Sequence, residues 1–180
     1  MGISGFKKEI NMDTIECIYQ RRSIRKFKKD PIDEGLIDEL LQAAMAAPSA
    51  CNKQPWAFFV VYNQEKREAL RKVSKYSNHQ APLAIVVCGN TKRSLSTKAN
   101  DFWIQDCSAA TENILLASTA LGLGSLWCGI YPVKSSIQRT KTILGLPKEM
   151  IPLGLIYIGY PDEVKLARTQ YAASFVHHIR

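Results

Sequence analysis

From Asn100 to Leu121 the chain carries more apolar residues than one helical stripe can hold. Trp103, Cys107, Ala110, Ile114, Leu115, Ala117 and Leu121 spread around the helix, so it has to be buried on more than one side. Asp101, Gln105, Asp106, Glu112 and Asn113 interrupt the segment and exclude a membrane helix. In a chain of 180 residues, such a segment is a core helix, a subunit interface, or both. Gly122 and Gly124 follow it in the C-cap position.

The rest of the chain supplies elements to pack around that helix. Asp13 or Thr14 caps a short helix to about Gln20. Asp33 caps a second, in which Ile37, Leu40, Leu41 and Ala44 recur until Pro48 stops it. Helices are also predicted over Gln64–Ser74 and Ser135–Leu144. AFFVVY (57–62), LAIVVCG (83–89), SLWCGIY (125–131) and PLGLIYIGY (152–160) read as buried strands. Unbroken apolar runs stop at about seven residues, as in Trp56–Tyr62, far short of the roughly 20 of a membrane span, and none lies in the first 30 residues, where a secretory segment would. Alternating strands and helices, taken alone, favour a parallel α/β sheet. Residues 1–12 read as a loose leader with Met12 an alternative start, and 13–180 as one domain.

The net charge of +8 is local rather than general. RRSIRKFKK (21–29) holds six basic residues and no acid, which leaves 18 basic against 16 acidic elsewhere. A duplex binder spreads its charge over a face, whereas one tight cluster suits a small anion. On an extended segment Arg21, Ser23 and Arg25 point the same way, presenting two guanidinium forks and a hydroxyl suited to a phosphate. The same arginines also follow a helix C-terminus, where cations are favoured for that reason alone. A second stretch, PSACNKQPW (48–56), offers Ser49, Asn52 and Gln54 to a heteroaromatic ring or polyol, or is an ordinary helix-to-strand loop.

Other chemistries find no support. GLG (122–124) follows a helix and precedes a strand, the reverse of a dinucleotide fingerprint. There is no GxxxxGK[ST], HExxH or GxSxG motif. His177 and His178 diverge as neighbours and His79 stands alone, so no metal site is expected. Cys17, Cys51, Cys88, Cys107 and Cys128 are odd in number with no CxxC spacing, which fits reduced thiols in a cytoplasm. Cys51 and Cys128 fall within informative stretches and are open to a redox role or to simple burial. Trp103 and Trp127 are open to pocket lining or core packing.

Taken in order, RRSIRKF, PSACNKQPW, the long helix into LGLGSLWCG, and GLIYIGYP resemble the FMN-dependent nitroreductase family over about residues 13–168. The resemblance implies an α+β fold, a mostly antiparallel sheet flanked by helices, closed into an intertwined homodimer with FMN at the interface. It overrides the parallel expectation. It maps contacts to the flavin phosphate and ribityl chain onto Arg21, Arg22, Ser23 and Arg25. The loop that reaches the cofactor from the partner subunit maps onto Pro48, Ser49, Asn52 and Gln54. Backbone groups near the ring map onto Trp127, Cys128 and Gly129, and a basic pair at the phosphate onto Lys165 and Arg168. The tail departs from the family's proline-rich spacing, which leaves that pair's register open.

The implied activity is hydride transfer from NADH or NADPH to the flavin, then to a nitroaromatic or quinone in the same pocket, without an obligatory acid or base. Two alternatives remain. One is a specialised flavoenzyme of the same fold (dehalogenase, dehydrogenase or flavin-consuming), for which residues 89–100 are the available substrate loop. The other is a nucleic-acid binder using 21–29 as a basic arm.

Overall fold

The computed structural model describes residues 12–95 and 101–180. Residues 1–11 of the expected leader and 96–100 of the candidate substrate loop lie outside the described residues.

Side-chain caps set where helices begin. The Asp13 carboxylate accepts from the Ile15 and Glu16 N–H groups (2.9 and 3.3 Å) and opens α1, Thr14–Gln20. Asp33 opens α2, Glu34–Met45, whose Ile37, Leu40 and Ala44 share the buried face. Asn63 opens α3, Gln64–Leu70. This helix stops short of the expected Ser74, because the buried Ser77 hydroxyl donates towards the Arg71 and Ser74 carbonyls and accepts from the Ser74 N–H. Those are groups a continuing helix would have used itself. α4 spans Phe102–Ala120 and α5 spans Lys134–Leu144.

The strands are β1 (Trp56–Val61), β2 (Leu83–Asn90), β3 (Gly124–Gly129) and β4 (Met150–Gly159). Their order is β1-β2-β4-β3, and every pair is antiparallel. Strand–helix alternation gives parallel neighbours only when the helix carries the chain back along the sheet. With 7 and 11 residues, α3 and α5 run only about 10 and 16 Å, against about 20 Å for β1 and β3 and about 27 and 34 Å for β2 and β4. These two connections therefore re-enter the sheet at the end they left, whereas the 19-residue α4 carries the chain from β2 to β3, which run the same way without pairing. β3 ends earlier than the expected Tyr131 because Ile130 and Tyr131 both donate to the Leu153 carbonyl, breaking the ladder.

The sheet lies between two helical layers. On one face α2 and α4 bring Leu40, Ala44, Cys107, Ala110 and Ile114 onto Leu83, Ile85, Val87, Ile156 and Ile158. On the other, Leu70 and Val73 cover Ala84, Val86, Leu126, Leu155 and Tyr157. α4 is thus buried against α2 on one side and the sheet on another, as its apolar surplus requires. No described helix is long and apolar enough to cross a membrane.

The basic segment is seated on this frame by two apolar residues. Ile24 is buried, its N–H donates to the Ser125 carbonyl (2.9 Å), and a Cβ at Gly124 would stand 2.8 Å from its Cγ2. Phe27 bridges to Pro161 at the end of β4. Gly124→Ala is therefore expected to lower unfolding free energy by about 1–3 kcal/mol, as overpacking does. The urea midpoint reads this directly, and an unchanged midpoint would mean that Ile24 can retreat without cost.

Candidate functional site

Residues 19–27 and 161–168 run antiparallel to each other as a seam along the β3 end of the sheet. Asp162 donates its N–H to Lys26 O (2.9 Å), and Arg168 donates its N–H to Tyr19 O (3.2 Å). Arg22 donates from its guanidinium to the Leu166 carbonyl. Glu163 accepts from the Arg25 N–H and from the Lys26 N–H, the latter at 3.2 Å.

Ser23, Arg25 and Lys165 come together in the seam. The Ser23 carbonyl accepts from Lys165 Nζ at 2.6 Å and from the Arg25 guanidinium at 3.3 Å. Glu163 lies 3.2 Å from Lys165 Nζ. The Arg25 N–H, then Lys165 and Lys26, hold the Glu163 carboxyl below the usual carboxylate range. Arg21 points elsewhere, its Nε 3.2 Å from Glu112 on α4. Arg21 and Arg25 thus meet different acceptors and do not share the single focus that an ideal extended segment would give them. Arg168 is exposed, and its backbone rather than its side chain is fixed in the seam.

The neighbouring β3 is an edge strand. Since the Ser125 carbonyl faces away from β4 to receive Ile24, strand alternation turns the main chain of Trp127 and Gly129 the same way. Gly129 is exposed and a Cβ there would meet nothing within 4 Å, so the surface beside this end of β3 is open. Cys128 is different. Its backbone faces β4, and its buried thiol donates to Tyr76 O (3.2 Å). Trp127 Nε1 is buried without a partner among the described residues, lying where a Gly154 Cβ would overlap it. Trp103 is a core residue, edge-on to Tyr131 at 5.0 Å.

The loop from Pro48 to Pro55 forms a separate group. Cys51, Asn52 and Gln54 all hold positive φ (48°, 51° and 47°). For residues other than Gly and Asn the left-handed region costs about 1–2 kcal/mol each. The loop is stitched by Gln54 N–H to Ser49 Oγ (2.9 Å) and Gln54 Nε2 to Asn52 Oδ1 (3.1 Å). It is tied to α4 where the Ala50 N–H donates to Asp106 Oδ1 at 2.9 Å. Asp106 lies six residues, about 9 Å along the helix, from Glu112, which holds Arg21. Among the described residues, no hydrogen bond joins this loop to residues 21–25.

Asp106, Glu112 and Glu163 escaped the sequence reading as site residues. Each acts through a bond to a segment far away in sequence, and only the isolation of Glu163 beside Lys165 and Arg168 could have drawn notice. Among the described residues no group of His, Cys, Asp and Glu could hold a metal.

A family model described as "Nitroreductase family" matches residues 18–79 and 72–160. A protein of Methanothermobacter thermautotrophicus named "Putative NADH dehydrogenase/NAD(P)H nitroreductase" is 40% identical over 94% of this chain and 88% of its own. A crystal structure of the same name from Parabacteroides distasonis superposes with a TM-score of 0.86 at 35% identity, covering 92% and 96% of the two chains. An FMN-dependent nitroreductase from Clostridium difficile gives 0.83 at 31% identity, covering 92% and 99%.

Two outcomes follow from this geometry. Burial pushes the Cys107 thiol up to about 12 and Cys128 up to about 11, and raises Cys17 and Cys88 too, whereas Cys51 is exposed. A chromogenic disulfide at about pH 8 should thus titrate one thiol in the native protein and all five after unfolding. Because the carboxyl of Glu163 is held below its ordinary range, its contribution is full above that range and lost as pH falls through the depressed value. The melting temperature of the wild type should therefore fall more steeply between about pH 5 and 3 than that of Glu163→Gln. Parallel profiles would remove Glu163 from the seam's stability.

Proposed function

The chain belongs to the nitroreductase family and is an oxidoreductase, and from that footing we propose that it binds FMN and reduces nitroaromatic or quinone-like acceptors with NAD(P)H. The observation that carries the reading is the meeting of Ser23, Arg25 and Lys165 beside the open edge of β3.

The residues present suit FMN group by group. Arg22, Arg25 and Lys165 meet main-chain carbonyls, and the one carboxylate among them neutralises only part of their charge. That leaves a local positive potential for a phosphate dianion. The main-chain groups of Trp127 and Gly129 on the free edge can meet the polar rim of a flavin ring. Asn52 and Gln54 are exposed and carry amides able both to donate and to accept. Of the expected basic pair, Lys165 is the one inside the cluster, and Arg168 lies beside the end of α1.

When bound, FMN supplies the hydride chemistry, which takes a hydride from the reduced nicotinamide and gives it to the acceptor. The chain's own residues bind and orient. Arg25 and Lys165 would hold the phosphate. The main-chain groups at the β3 edge would meet the ring's polar rim. No side chain at the cluster is needed as an acid or base, so Arg22, Ser23, Arg25, Pro48, Ser49, Asn52, Gln54, Lys165 and the main chain of Trp127 and Gly129 are proposed as binding rather than catalytic residues, while Arg21, Cys128 and Arg168 are turned to Glu112, Tyr76 and the end of α1 and are left out.

A homodimer is part of the same reading. The loop 48–55 and the seam are not joined within one protomer, so a loop lent by a second copy would complete the site. The tail leaves Val164, Leu166, Tyr171, Phe175 and Ile179 between 75% and 99% exposed. That much apolar surface on an extended strap favours a partner that covers it. The free thiols are in keeping with a reducing cytoplasm.

The deciding measurement is the visible spectrum of freshly purified protein, followed by anaerobic NADPH or NADH. Flavin bands that bleach with either nucleotide are expected. Arg25→Ala combined with Lys165→Ala should lose FMN at least about tenfold more readily, since charge-assisted bonds are worth more than about 1.4 kcal/mol. A folded, colourless wild type that refuses added FMN would end the enzyme reading in this form.

A further inference from the structure

Asp106 is the one buried acidic group among the described residues, with 5% of its surface exposed, and it is bonded on one side only. Oδ1 accepts from the Ala50 N–H at 2.9 Å, while Oδ2 is buried with no partner among the described residues. A carboxylate oxygen sealed from water without a donor is costly, so a fold that retains one has a use for it. The group it does hold is the entry to the most strained backbone among the described residues, where Cys51, Asn52 and Gln54 take left-handed φ within four positions. Residues 51–54 are exposed, so little of their own chain presses them into that shape. Strain that persists on an exposed loop must be fixed at its base.

We propose that Asp106 is the positioning residue for this loop, a role that rests on the flavin reading of the site. Oδ1 locks the Ala50 N–H and with it the turn that presents Asn52 and Gln54. Oδ2 is the acceptor for a hydrogen-bond donor that arrives when the site is assembled with FMN. α4 then acts as the common beam. Asn113 Nδ2 donates to the Ala43 carbonyl at 2.8 Å and holds the end of α2, and Asp106 holds the loop that follows. Asp106 acts through the Ala50 N–H, from a buried position on α4.

Three variants and two readouts test this. Cys51 is the exposed thiol of the loop, so its reaction rate with a chromogenic disulfide in flavin-free protein reports loop shape. Flavin fluorescence quenching reports FMN affinity. In Asp106→Ala the Cys51 rate and the Kd for FMN should both rise by about tenfold, equivalent to about 1.4 kcal/mol. Ala50→Pro removes the same hydrogen bond from the other end and leaves the carboxylate in place. Proline is tolerated there, at the first residue of the 3₁₀ turn Ala50–Asn52, and Ser49 is already extended (φ −142°, ψ 152°), as a residue before proline prefers. It should reproduce both effects, and it decides the matter if Asp106→Ala does not fold. Asp106→Asn keeps an oxygen for Ala50 but turns the second position into a donor. Its Cys51 rate should stay near wild type while its Kd still rises.

An Ala50→Pro protein with wild-type Cys51 rate and wild-type Kd overturns the positioning role. A faster Cys51 rate with unchanged Kd reduces Asp106 to loop stability alone and also overturns it. Asp106→Asn matching wild type in both removes the role of Oδ2. A wild type that takes up no FMN defeats the flavin reading instead, and the flavin-free Cys51 rates still show whether Asp106 holds the loop.

Discussion

The antiparallel pairing of β2 with β4 is the interaction on which the rest of this structure depends. From Leu83 to Cys88 and from Leu153 to Ile158 nearly every side chain is buried, whichever face it points to. A strand pair apolar on both faces cannot stay in water on either, so one helical layer has to cover each side. With the centre closed in this way, backbone groups remain available only at the margins of the sheet. β3 is one margin, and it is there that the basic segment docks. The position of the candidate site is thus a consequence of how completely the middle of the sheet is used up.

The second organising element is α4. It packs on α2 and the sheet with its apolar surface, and it spends its few polar residues on holding other segments. Glu112 takes Arg21, Asn113 takes the end of α2, and Asp106 takes the loop before β1. The seam and the loop of one protomer are therefore referenced to one helix, although they attach at different points along it. In the homodimer reading these two segments serve different sites, so each α4 holds the seam of one site and the loop of the other. It also explains why so apolar a helix retains carboxylates.

Much of this was legible in the sequence because periodicity and capping are local signals. The four strands, the caps at Asp13 and Asp33 and the surplus of apolar residues on α4 all appear within windows of ten to twenty residues. Strand direction was not legible, because alternation of strands and helices fits parallel and antiparallel sheets alike, and helix length decides between them. The early end of α3 was hidden because one serine, Ser77, captures backbone groups that propensity would assign to the helix. The roles of Glu163 and Asp106 were hidden for a related reason. Each bonds a main-chain N–H far away in sequence, Arg25 in one case and Ala50 in the other, and a single acid carries no periodic mark of such a contact.

The same contacts bear on what the charge of +8 is for. An arm that searches for nucleic acid has to be mobile and has to offer its cations outward. The backbone of residues 21–27 is fixed, since Ile24 and Phe27 are seated in the sheet and the tail runs alongside them, although Arg25 and Lys26 are exposed. Arg21 faces Glu112, Lys165 faces Glu163, and Arg22 and Arg25 bend back to carbonyls of their own chain. Of these, only Arg25 and Lys165 meet, at the Ser23 carbonyl, and they leave a positive potential over a few ångströms rather than a broad field. They favour one compact dianion held in a fixed place over the repeated phosphates of a polymer. The basic cluster that made nucleic acid worth considering is, once folded, the strongest physical argument for a small phosphorylated ligand.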